Sequence, residues 1–148
     1  MRIVSSLTSM PLNSFYIDTD IIIRFLTGDD LKKQEAAAGL FQEVERGKLT
    51  LFAPVTVFAD AVYVLASPKL YNLPRQNICD LLLALLELIN LKVDHKQALK
   101  TALNLYVSSN LDFGDAFLAA LALRTGSKNV FSYDHDFDKV SHLKRIEP

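Results

Sequence analysis

Apolar residues along the chain alternate between short β-prone runs and longer stretches with helical spacing. Ser14-Phe15-Tyr16-Ile17 reads as a first strand, and Leu49 to Ala53 as a second. Leu91 to Val93 is a third short candidate, Asn129 to Ser132 a clear strand, and Arg145-Ile146 a last short one. Between them the pattern predicts helices over 20–26, 31–46, 55–66, 74 to about 88, 94–107 and 114–124. Pro54 suits the first turn of the third helix, Ser67-Pro68 ends it, and Pro74 opens the fourth. Gly47 and Gly126 stand where the second and sixth helices should stop. Short strands separated by helices predict an α/β domain with a mainly parallel central sheet. Ligands of such sheets bind beyond the carboxyl ends of the strands.

With 148 residues and 50% hydrophobic composition, the chain is long enough for one buried core, read here as a single domain over 15–148. Residues 1–14 read as a loose N-terminal extension without the apolar core of a secretory signal, and Met10 offers an alternative start. The most apolar stretch, Leu81 to Leu91, is interrupted by Glu87 and falls far short of the ~20 residues that span a bilayer. No membrane association is expected. The lone Cys79 excludes an internal disulfide and a multi-thiolate zinc site, and fits a reducing cytoplasm. A net charge of −1 offers no global attraction to nucleic acid. The acids are unevenly chosen, however: 12 of the 17 are Asp. Asp favours caps, turns and metal sites over helix interiors.

Asp18 and Asp20 directly follow the first strand, where one Asp is readily a helix cap and two are less readily so. Asp60 is the one charged residue between Leu51 and Pro68, either on a narrow solvent face or aimed into a cleft. Asp115 lies in the first turn of a small-residue helix, where the helix dipole alone could account for it, and Asp112 reads as the cap. Asp134 and Asp136 follow a late strand and could belong to a turn; Asp138 reads as a surface residue. Taken together, the acids recur at strand ends and helix starts that adjacent strands would bring to one edge. Clustered carboxylates repel one another unless a cation lies between them, and all-oxygen ligation suits Mg²⁺ or Mn²⁺. Metal-assisted phosphoryl hydrolysis is the reaction class such a cluster implies.

Four motifs in order then resemble the PIN domain, the nuclease fold of VapC-type toxins: Ile17-Asp18-Thr19-Asp20-Ile21, Ala59-Asp60-Ala61-Val62-Tyr63, Asp112-Phe113-Gly114-Asp115-Ala116, and Ser132-Tyr133-Asp134-His135-Asp136-Phe137. The resemblance implies a three-layer α/β/α fold and a ribonuclease whose Asp18, Asp60, Asp115 and Asp134 hold Mg²⁺ or Mn²⁺, with Asp136 assisting. Thr19 or Ser132 would orient a carboxylate or the attacking water. It further implies an RNA substrate, a cognate antitoxin protein, a homodimer and a cytoplasmic setting. Two positions depart from the family pattern. Asp20 stands where the family has Asn, and Asp60 where it has Glu, one methylene longer, so that Asp60 would reach a metal through water.

Those departures keep open a catalytically weakened PIN-like module that binds RNA or protein. The opening Asp18-Thr19-Asp20 also resembles haloacid-dehalogenase-like phosphatases, with Asp18 as nucleophile and Asp20 as general acid, although Asp115 has no role there. Arg24, Lys32 and Lys33 read as a solvated helix face or as phosphate contacts, His135 as an exposed loop histidine, and Cys79 as a packed small hydrophobe. Setting aside Asp18, Asp20, Asp60, Asp115, Asp134 and Asp136 leaves 11 acids against 16 bases. Near-neutrality is then compatible with a mildly basic shell around an acidic pocket.

Overall fold

A computed structural model describes residues 13–148. Of the extension read over 1–14, residues 1–12 lie outside the described residues; the Asn13 carbonyl accepts from Thr50 N, and Ser14 opens β1. The element order is β1 (Ser14–Tyr16), α1 (Thr19–Leu26), α2 (Leu31–Glu45), β2 (Thr50–Ala53), α3 (Val55–Ala66), α4 (Arg75–Leu86), β3 (Leu91–Val93), α5 (Lys96–Ser108), α6 (Phe113–Thr125), β4 (Asn129–Phe131), a 3-10 turn (His135–Lys139) and β5 (Lys144–Ile146). All pairings are parallel and helices link the strands, as expected of an α/β domain of the three-layer α/β/α kind.

The strands form two ladders, β1-β2-β3 and β4-β5, rather than one continuous hydrogen-bonded sheet. Three- and four-residue strands carry too little pattern to specify which edges meet, so the sequence did not resolve this division. In the larger ladder, Leu51 and Ala53 on β2 and Leu91 and Val93 on β3 are buried. The opposite face aligns Tyr16, Phe52 and Lys92 in register, with the Tyr16 and Phe52 rings 5.5 Å apart. The core continues through Phe58, Leu65, Ile78, Leu82, Leu86, Leu99 and Leu103, with Cys79 buried among them as expected. α5 packs extensively on α6, whose Ala116, Ala119 and Ala120 are fully buried. Small side chains there permit close helix approach. Gly126 ends α6 in the left-handed region at φ 84°, a conformation glycine adopts without steric cost. Among the described residues, no helix is long and apolar enough to cross a membrane.

Long-range polar contacts set the helix starts and turns that carry the acids. Pro54 leaves α3 without a side-chain cap of its own, and Val55 N donates instead to Asp94 Oδ1 at 2.7 Å, from just past β3. Arg75, at the start of α4, donates from Nη1 to the carbonyls of Leu111 at 2.5 Å and Tyr106 at 2.7 Å. Its guanidinium carbon also lies 4.1 Å from the Tyr106 ring centroid. These contacts pin the turn between α5 and α6, immediately ahead of Asp112.

Candidate acidic site

Asp18 and Asp134 stand just past the C-terminal ends of β1 and β4, where the chain leaves a strand and begins to coil. Each serves as a cap: Asp18 Oδ1 accepts from Ile21 N at 3.2 Å, and Asp134 Oδ1 accepts from Asp136 N at 2.9 Å. Capping and a site role are compatible. Each cap uses Oδ1, both carboxylates are exposed, and no hydrogen bond within the described residues occupies Oδ2. Ser132 Oγ accepts from Asp134 N at 2.9 Å, which holds the residue at the mouth of the turn. The Thr19 hydroxyl does not reach a carboxylate in this arrangement; it donates to the Val57 carbonyl at 3.3 Å and ties the start of α1 to α3.

Asp115 is half-buried in the first turn of α6. Burial raises its carboxyl above the ordinary carboxylate range, and the neighbouring Asp134 and Asp112 charges push it further the same way. Asp112, Asp115 and Asp134 therefore share one electrostatic neighbourhood. Asp112 was readable only as a cap, yet it stands at the N-cap position of α6 without making a side-chain cap bond. The available signal was two acids within Asp112-Phe113-Gly114-Asp115 at a helix start. Asp112 also borders a cleft of about 400 Å³ lined by Ala59, Tyr63, Pro68, Phe113 and Gly114.

Asp60 is exposed on α3 and makes neither a hydrogen bond nor an ion pair within the described residues. α3 packs against both α1 and α6, so its helix lies between those bearing the other acids. Two acids are already engaged with bases. Asp136 lies 3.5 Å from Lys139 Nζ, and Asp20 Oδ1 lies 3.3 Å from Arg24 Nε. Arg24 thus faces carboxylates rather than open solvent. Exposed His135 stands 2.9 Å from Arg145 Nη2 and 3.3 Å from Asp138. Asp138 belongs to the 3-10 turn, and the Arg145 guanidinium holds its carboxyl below the ordinary value.

Among the described residues, no three His, Cys, Asp or Glu side chains are gathered into a ready cation cage. The donor chemistry nevertheless fits a hard divalent cation. Asp115 and Asp134 are oxygen donors, the Asp134 charge makes Asp115 harder to ionise, and a cation between them would offset that repulsion.

A family model for the PIN domain matches residues 15–143. A VapC ribonuclease of Aquifex aeolicus (strain VF5) is 29% identical over 134 residues, an alignment that covers 89% of this chain and 95% of that protein.

Proposed function

The chain belongs to the PIN domain family, and on that premise we propose that it is an endoribonuclease dependent on Mg²⁺ or Mn²⁺, the toxin of a type II toxin–antitoxin pair. The observation that carries this reading is the family match over residues 15–143, joined by the Asp115 carboxyl in the first turn of α6, made hard to ionise by burial and by Asp134 and Asp112. Asp18, Asp115 and Asp134 are the direct donors in this reading, with Asp60 reaching through water and Asp136 assisting from its pair with Lys139. A divalent cation bound there would lower the pKa of water and offset charge building on the phosphoryl oxygens. The chain's own residues hold the geometry: Ser132 fixes the Asp134 backbone, the Asp94 cap fixes the start of α3, and the Arg75 clamp fixes the approach to α6. Hydrolysis would join the water oxygen to phosphorus and break one P–O ester bond, with the proton of water passing by way of a neighbouring carboxylate to the leaving ribose oxygen, which departs as an alcohol.

The partners proposed are RNA as substrate, a cognate antitoxin and a second copy of the chain, acting in the cytoplasm. An apolar groove of about 500 Å³ between α2 and α4, lined by Phe25, Phe41, Leu81, Leu85 and Leu88, supports a protein partner. A domain spanning 15–148 is part of the same proposal. The phosphatase alternative is disfavoured, because its general acid, Asp20, is already engaged by Arg24.

The direct test is cleavage of single-stranded RNA by the purified chain with Mn²⁺, Mg²⁺ or EDTA. Asp18→Asn and Asp115→Asn should each lower the metal-dependent rate by about a hundredfold or more. RNA binding without cleavage in either metal would favour the non-catalytic module instead.

A further inference from the structure

We propose that Arg24 sets the charge at the start of α1, beside Asp18, by pairing with Asp20, so that the extra carboxylate does not act as a further metal-facing acid. The proposal rests on the reading of the site as a metal-dependent nuclease centre. Asp18 and Asp20 place two formal negative charges at the start of α1. Arg24 lies one helical turn after Asp20, with the acid N-terminal to the base, the favourable orientation for such a pair.

The geometry makes Arg24 the fixed member. Its Nε is shielded from water and forms no hydrogen bond within the described residues, so the Asp20 oxygen at 3.3 Å compensates it through charge alone. On its other side, Nη1 lies 3.6 Å from Asp29 Oδ1. Asp29 is itself anchored: the Tyr71 hydroxyl donates to Oδ2 at 2.6 Å and the Thr27 hydroxyl to Oδ1 at 2.9 Å. The Arg24 side chain is 26% exposed against 60% for Asp20. The guanidinium is thus built in, and the more exposed carboxylate comes to it. Thr19, between the two acids, ties this turn to α3, the helix that bears Asp60. With the pair intact, the start of α1 presents one uncompensated carboxylate, Asp18, as an Asp followed by a neutral amide would.

A charge cycle tests this on the full metal-free chain, with Mn²⁺ affinity measured calorimetrically and single-stranded RNA cleavage followed in parallel. Arg24→Gln frees the Asp20 charge and should tighten Mn²⁺ binding by about three- to tenfold, while Asp20→Asn leaves Arg24 uncompensated on that side and should weaken it by a similar factor. The double variant should return to within about twofold of wild type, since it restores the net charge of the pair. Arg24→Lys, which keeps the charge, should stay close to wild type. If both single variants shift affinity in one direction, or the double variant keeps the Arg24→Gln value, the proposal is wrong. Should Arg24→Gln fail to fold, Asp20→Asn and Arg24→Lys still decide it, and unchanged affinity in Asp20→Asn overturns it. A wild-type chain that takes up no Mn²⁺ and cuts no RNA defeats the nuclease reading itself; failure of the cycle in an active, metal-binding chain defeats only the role of Arg24.

Discussion

Asp115 carries a sign that separates function from stability. Burial and the charges of Asp134 and Asp112 make it harder to ionise in the folded chain than in the unfolded one. Its contribution to stability is full below the unfolded carboxyl value and is lost as pH rises through the raised folded value. Near neutral pH, the ionised group therefore opposes folding. Asp115→Asn should raise the Tm at pH 7 in metal-free buffer by about one to three degrees, the shift a fraction of 1 kcal/mol makes in a domain of this size, while metal-dependent cleavage collapses. A Tm at or below wild type would contradict this account of Asp115. Asp60 makes the complementary case under the proposed function, where its shortness rather than its environment would limit its reach. Exposed and unpaired within the described residues, it has room for one more methylene. Asp60→Glu should tighten Mn²⁺ binding several-fold with little change in Tm, and a weaker affinity would show that Asp60 already reaches the metal.

At the scale of elements, the acids depend on contacts made far along the chain. Arg75 satisfies the carbonyls of Tyr106, in the last turn of α5, and of Leu111, just before Asp112, and removing it would leave those acceptors without their donor. Arg75→Ala should cost about 2 kcal/mol in denaturant unfolding, and faster amide exchange should be confined to the 109–115 turn. Uniformly raised exchange would show the clamp to be general packing instead. This division marks what was legible in the sequence. Helices and strands lay within a residue or two of their places because Pro54, Pro74 and Gly126 punctuate the chain locally. Asp94 capping a helix 39 residues away, and Arg75 reaching more than 30 residues ahead, leave no local trace. The Arg24–Asp20 pair was within reach, being one helical turn apart, but a solvated face reads the same until Asp29 and Tyr71 close around it. The order of acids was likewise legible, while their grouping was not: Asp112 joins Asp115 and Asp134, and Asp20 and Asp136 sit with bases.

Over the whole molecule, the near balance of 16 basic and 17 acidic residues conceals an uneven distribution. Asp20 and Asp136 are engaged by bases, and setting aside Asp18, Asp60, Asp112, Asp115 and Asp134 as the free acids of the proposed site leaves 12 acids against 16 bases in the rest of the chain. Under the proposed function, a phosphodiester entering that pocket without metal meets like charge, whereas the rest of the chain carries a net positive balance. The proposed cation would offset part of that negative charge at the pocket alone. RNA affinity should therefore respond to Asp115→Asn in opposite directions under the two conditions. With a non-cleavable RNA in EDTA, the variant should bind several-fold more tightly than wild type, because one repelling charge is gone. In Mn²⁺ it should bind several-fold more weakly, because a donor to the proposed cation is gone. Raising the salt concentration should shrink the EDTA difference first, since repulsion through solvent is screened and direct ligation is not. If the variant moved RNA affinity the same way in both buffers, Asp115 would be acting on RNA without a metal, and the acidic pocket would need another explanation.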